Sequence, residues 1–163
     1  MVNKMSNPLA TYLQDHLAGA VQAIGLVEAI RDEYVGDPLG EFAAVLLVEI
    51  EADREVLRTL ANRTGAGSSG LKEMTAWVAE KLSRIKLGRG AENGLGTFEA
   101  LEFLELGIHG KWALWRALAA IEVDPHLHGT DFDRLTARAE SQRAQVEEHR
   151  LEFARKALRS AGS

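Results

Sequence analysis

A chain of 163 residues, 46% hydrophobic and 26% charged, with a formal charge of −5 and no cysteine, suits one globular core, and residues 1–163 read as a single domain. The acidic balance argues against nucleic acid, whose phosphates require a basic surface or stripe. The missing cysteines exclude disulfides, thiolate catalysis and cysteine-ligated metals.

In chain order, Asn7-Pro8 places a capping side chain before a first-turn proline, and the apolar periodicity that follows predicts a first helix over roughly 8–35, stopped by Gly36. Asp37-Pro38 repeats the device and starts a second helix over roughly 38–63, so the chain turns sharply back on itself. GAGSSG then breaks the pattern. LKEMTAWVAEKLSRIK predicts a shorter amphipathic helix over roughly 71–86, with Met74, Trp77, Val78, Leu82 and Ile85 on one stripe. Thr97 is read as the cap of a third long helix over roughly 97–122, and Thr130 with Asp133 as the start of a fourth over roughly 131–158. Nothing alternates in the manner of a strand. The opening MVNKMSNPLA lacks an apolar leader core, and the longest apolar run, FAAVLLV, is far below the roughly 20 residues of a membrane span. A cytoplasmic protein without membrane partners is expected.

Four long helices predict an all-α four-helix bundle. The first two are antiparallel neighbours by their short connection, and so are the last two. The connection between the second and third holds a helix of about 16 residues, roughly 24 Å long, enough to travel back along most of the bundle. Helix three is therefore expected to run parallel to helix two, in up-down-down-up order. Inward stripes then carry Phe42, Val45, Leu46, Val56 and Leu60 on helix two; Leu101, Leu104, Ile108, Trp112 and Trp115 on helix three; and Leu135, Ala139, Val146 and Phe153 on helix four. Polar residues interrupt these stripes. Gln22, Glu49, Glu105 and His149 all fall at roughly 20–30 Å along the bundle by the same rise per residue, while His16 lies lower, at roughly 12 Å. Of the polar neighbours on helix three, Glu105 is expected to face inward and Glu102 and His109 to lie at the boundary.

A bundle with this crossover and these mid-height residues resembles the ferritin-like superfamily, in which two irons are held by a Glu from each of two helices and a Glu-x-x-His pair from each of the other two. The resemblance matches Glu105 to the lone Glu of helix three, Glu49 to the Glu of helix two and His149 to the histidine of helix four. It stops there: Val146 stands three residues before His149 and Ala52 three after Glu49, so both Glu-x-x-His motifs are incomplete. A mononuclear site remains open, with Glu49, Glu105 and His149 as ligands and Asp53 or His109 in reserve, suited to divalent iron, manganese or zinc. Against it stands the plainer reading that these carboxylates accept hydrogen bonds from His149, Gln142 or Gln145.

Other groups are weaker candidates. Asp124, His126 and His128 have chelating spacing in a loop. Lys81, Arg84, Lys86 and Arg89 read as the wet face of the short helix. Gly107 and Gly110 cost a helix roughly 1 kcal/mol each relative to alanine, which suggests the close approach of a helix or a ligand. The expectation is a non-catalytic, homodimeric interaction module with a degenerate metal centre and no cofactor. A metal-binding protein or oxidoreductase is the second reading, and a small-molecule-binding bundle the third.

Overall fold

The computed structural model describes residues 7–65, Glu80, Ser83, Ile85, Leu87 and residues 94–159. Four long helices account for nearly all of them: α1 (Pro8–Glu33), α2 (Pro38–Arg63), α3 (Leu95–Ala119) and α4 (Phe132–Ala157), with a short 3-10 turn at Pro125–Leu127. None of the described helices is long and apolar enough to cross a membrane. The short helix expected over 71–86 lies outside the described residues, apart from Glu80, Ser83 and Ile85. Ile85 and Leu87 pack against the core.

The helix starts follow local chemistry. Asn7 Oδ1 accepts from Ala10 N at 3.2 Å and Asp37 Oδ1 from Leu39 N at 2.9 Å, each with a proline in the first turn where its missing N–H costs nothing. At α4 the cap is Asp131, whose Oδ1 accepts from Arg134 N at 2.9 Å, rather than Thr130. At α3 the helix begins earlier than expected, behind Gly94, and Thr97 is not its cap. Thr97 is instead fully buried, with its Oγ1 2.7 Å from the Tyr34 hydroxyl. A threonine that finds a tertiary partner has no need to serve as the local terminator.

α1 packs along α2 and α3 along α4; the two pairs meet through α1 with α3 and α2 with α4. The α1–α2 connection is unusually tight because Gly40 lies against the backbone of Tyr34: a Cβ on Gly40 would stand 2.1 Å from the Tyr34 carbonyl oxygen. Contacts at the helix ends close the first pair (Asn7 with Thr64) and bind it to the second (Tyr34 with Phe153, Arg63 with His128). Asn7 Nδ2 donates to Thr64 O at 3.4 Å, Tyr34 meets Phe153 edge to face at 5.8 Å, and Arg63 Nη1 donates to His128 O at 3.1 Å.

The core follows alternating steps of three and four residues. On α2 the buried series is Leu39, Ala43, Leu46, Ile50, Asp53, Leu57 and Leu60; on α4 it is Phe132, Leu135, Ala139, Gln142 and Val146, ending at Phe153. Such seams are those of helices packed at shallow angles. Val45, expected on the inward stripe, is 62% exposed. It sits one residue, about 100°, away from Leu46, and that step carries it out of the seam.

Candidate functional site

The polar residues that interrupt the seams meet in one layer. Asp53 on α2, 2% exposed, takes Lys111 Nζ of α3 on Oδ2 at 2.5 Å and Arg138 Nη2 of α4 on Oδ1. Lys111 Nζ also donates to Gln142 Oε1 at 2.5 Å, and Gln142 Nε2 donates to Glu49 Oε2 at 2.9 Å. Gln142 is fully buried. Its amide is satisfied in one orientation only, since the reverse would set the NH2 group against the lysine ammonium and the oxygen against a carboxylate. The layer thus links three helices through two acids, two bases and one amide.

Its electrostatics follow from burial. Loss of water pushes the Lys111 ammonium below the ordinary lysine range, and Asp53 pulls it back. The Asp53 carboxylate, by charge and by its hydrogen bond from Nζ, favours the charged form. Isolated charges at this depth would be prohibitively costly, and mutual neutralisation is what makes the layer tolerable. Among the described residues two buried side-chain donors lack partners: Arg138 Nε in this layer and Trp115 Nε1, four residues after Lys111.

The residues expected to hold a metal are distributed otherwise. Glu105 lies at the α3–α4 surface, not toward the interior: its carboxylate is held by Arg143 Nε at 2.8 Å and Nη2 at 2.6 Å. The inward acid at mid-bundle is Asp53. Glu49 is engaged by Gln142, and the His149 ring packs on Phe42 with centroids 4.5 Å apart. His109 is exposed and stacks on Trp112 at 5.3 Å. Glu102 is bonded by Arg150 Nη1 at 3.2 Å. Among the described residues no three histidines or carboxylates converge as a ligand set. The structure therefore joins Glu49 and Asp53 through Gln142 and leaves Glu105, His149 and His109 apart from them.

Lys111 and Arg138 were missed by the sequence reading, although the same spacing marks Lys111. Thr97, Leu101, Leu104, Ile108, Lys111, Trp115 and Leu118 form one three-four series on α3, and a lysine inside such a series demands a buried acid opposite.

The loop histidines have a structural task. Asp124 Oδ1 accepts from His126 N at 2.9 Å and lies 2.7 Å from His126 Nδ1, while Arg63 of α2 holds the carbonyls of His126 and His128. These bonds close the 3-10 turn and set Leu127, 1% exposed, into the core. The glycines on α3 have no such explanation: a Cβ at Gly107 or Gly110 would meet nothing within 4 Å, so no neighbouring helix requires them.

His16, on α1, has its ring 4.7 Å from that of Tyr12. Burial lowers its pKa from the ordinary 6.5, with Asp15 opposing. The unfolded chain therefore takes up this proton first, and the stability contributed by neutral His16 is present above the ordinary value and lost as pH falls through the lowered one. His16→Phe is expected to flatten the urea-unfolding stability profile below about pH 6.5. An unaltered slope there would assign the acid sensitivity to other groups.

Comparison with protein-family models, curated proteins and solved structures gives no match for this chain.

Proposed function

We propose that this chain is a ferritin-like, up-down-down-up bundle acting as a non-catalytic, self-associating module, in which lysine and arginine side chains have taken the place of metal ions between the mid-bundle acids. The observation that carries the reading is the pairing of Asp53 with both Lys111 and Arg138. A divalent ion on Asp53 would have to displace two half-buried cations, each of which would then lose its counter-charge.

The helix ends support the topology. The start of α1 bonds to the residue after α2, the end of α1 bonds to the first turn of α3, and the end of α2 bonds to the α3–α4 connection. Together these contacts support a common direction for α2 and α3, the arrangement a long crossover serves. Self-association is assigned to the outer α3–α4 groove, where Phe103 and Leu106 are 39% and 63% exposed. Around them stand Glu99, Glu102, Glu105, Glu140 and Glu147, with Arg143 and Arg150 holding Glu105, Glu102 and Glu147, so the apolar pair is what a second copy would cover.

Melting the protein with and without Fe²⁺, Mn²⁺ or Zn²⁺, alongside sedimentation equilibrium, tests the reading. No stabilisation by the ions and a concentration-dependent dimer weakened by Leu106→Glu are expected. A metal-dependent rise in Tm that disappears in Glu105→Gln or Asp53→Asn would instead establish the metal-binding alternative, and a protein monomeric at all concentrations would remove the self-association.

A further inference from the structure

The apolar residues of α3 fall into two series. One faces the core through Leu101, Leu104, Ile108, Trp115 and Leu118, all buried. The other, two residues or about 200° out of phase, runs along the opposite side through Phe103, Leu106, Gly110, Ala113 and Ala117, again in steps of three and four. Phe103 and Leu106 are 39% and 63% exposed, Ala113 and Ala117 are exposed, and Gly110 is half-buried. A helix that is apolar on two faces has a second surface to cover. Within the chain nothing calls for glycine at 110: a Cβ there would meet nothing within 4 Å, and the residue lowers helix propensity.

Large residues at the start of this outer stripe and small ones at its end make it complementary to itself in one orientation. When two copies of α3 lie antiparallel about Ile108, Phe103 meets Ala113 of the second copy and Leu106 meets Gly110, and the two-fold axis makes each contact twice. A parallel pair would instead set Phe103 on Phe103 and Gly110 on Gly110, the first crowded and the second empty. Sliding the antiparallel pair by one heptad brings Phe103 against Leu106 in one direction and leaves Gly110 opposite Ala113, with no side chain between them, in the other.

Charge agrees with shape. Glu99 continues the stripe at its start, and the same alignment puts it against Ala117 and next to Arg116 of the second copy. The Arg116 guanidinium lies over the Trp112 ring at 4.8 Å, and among the described residues neither Arg116 nor Glu99 enters an ion pair. In a parallel pair each would face its like. Exposed pairs of this kind decide orientation more than affinity.

We infer that the second copy binds through the outer stripe of α3 in this antiparallel register, Leu106 of each chain filling the space over Gly110 of the other and Glu99 pairing with Arg116 across the axis. The inference rests on the self-association proposed above, to which it gives a direction and an alignment, and is independent of the ferritin-like topology.

The chain has no cysteine, so single introduced thiols report on this contact alone. Under mild oxidation an equimolar mixture of Phe103→Cys and Ala113→Cys is expected to give at least tenfold more disulfide-linked dimer than either variant by itself, because unlike positions face each other while like positions stand about 15 Å apart along the axis. Glu99→Cys mixed with Ala117→Cys should behave in the same way, with like positions about 27 Å apart; this pair keeps Phe103 in place should its loss weaken the dimer. Either variant linking to itself as well as to its partner variant, or neither mixture being trapped while the wild type sediments as a dimer, would overturn the register and leave self-association standing. A wild type that is monomeric at all concentrations would overturn both.

Discussion

Asp53→Ala is expected to destabilise the protein by about 3–5 kcal/mol, because the substitution strands two cations rather than removing one contact. Lys111 and Arg138 both terminate on this carboxylate, and the Lys111 side chain is only 15% exposed. With the acid gone, the ammonium keeps Gln142 Oε1 as its remaining partner, and the guanidinium must turn toward solvent. Lys111→Met should cost less, about 1–3 kcal/mol, since Asp53 retains Arg138 while Gln142 Oε1 loses its donor. The double variant should then be less unstable than the sum of the two, the sign expected when one change removes the charge that the other leaves uncompensated. Urea unfolding of the four proteins measures all of this. A loss below about 1 kcal/mol for Asp53→Ala would mean that water reaches the layer and screens it.

The second large effect comes from a single methyl group. Gly40→Ala would bring a Cβ to 2.1 Å from the Tyr34 carbonyl oxygen and 2.7 Å from its carbon, both backbone atoms that no rotamer change can move aside. The α1–α2 turn must open to admit it. A cost of about 1–3 kcal/mol or more is expected, as for overpacked cores. The opening would also disturb the Tyr34 hydroxyl and its 2.7 Å contact with Thr97. Gly25→Ala is the control of opposite sign: its Cβ would meet nothing within 4 Å within α1, so a gain of about 0.5–1 kcal/mol follows from helix propensity alone. Parallel thermal melts of the two variants check both the size and the sign.

The helix ends were legible because the chain marks them chemically. Asn7-Pro8 and Asp37-Pro38 each provide a cap acceptor and a fixed φ at adjacent positions, and both predicted starts coincide with those of α1 and α2. The inward stripe of α4 was equally plain: Leu135, Ala139, Val146 and Phe153 are all buried, since polar residues surround them and leave little choice of face. On α3 the periodicity is blurred. Its apolar residues spread around the helix, with Phe103 and Leu106 outside and Leu104 and Ile108 inside, so that a one-residue error in phase goes unnoticed. That error moved Glu105 inward and left Lys111 unassigned. Charge pairing corrects the phase where hydrophobicity cannot, because a buried Asp53 needs a cation and Lys111 stands at the α3 seam position that can supply one. Thr97 was misjudged for a related reason: capping preference is local, whereas the Tyr34 hydroxyl comes from a residue 63 positions earlier.

The apolar seams of this bundle are nearly periodic, and periodic seams are degenerate. Sliding one helix by seven residues, about 10 Å, would set leucines and alanines against leucines and alanines again at little loss of buried area. The polar layer removes that degeneracy. In any slipped arrangement Asp53, Lys111 and Gln142 would each face aliphatic side chains with their hydrogen bonds unmade, whereas the native alignment satisfies all three at once. The ions between the helices thus act as an axial key, selecting one alignment among several that the hydrophobic effect alone would barely distinguish.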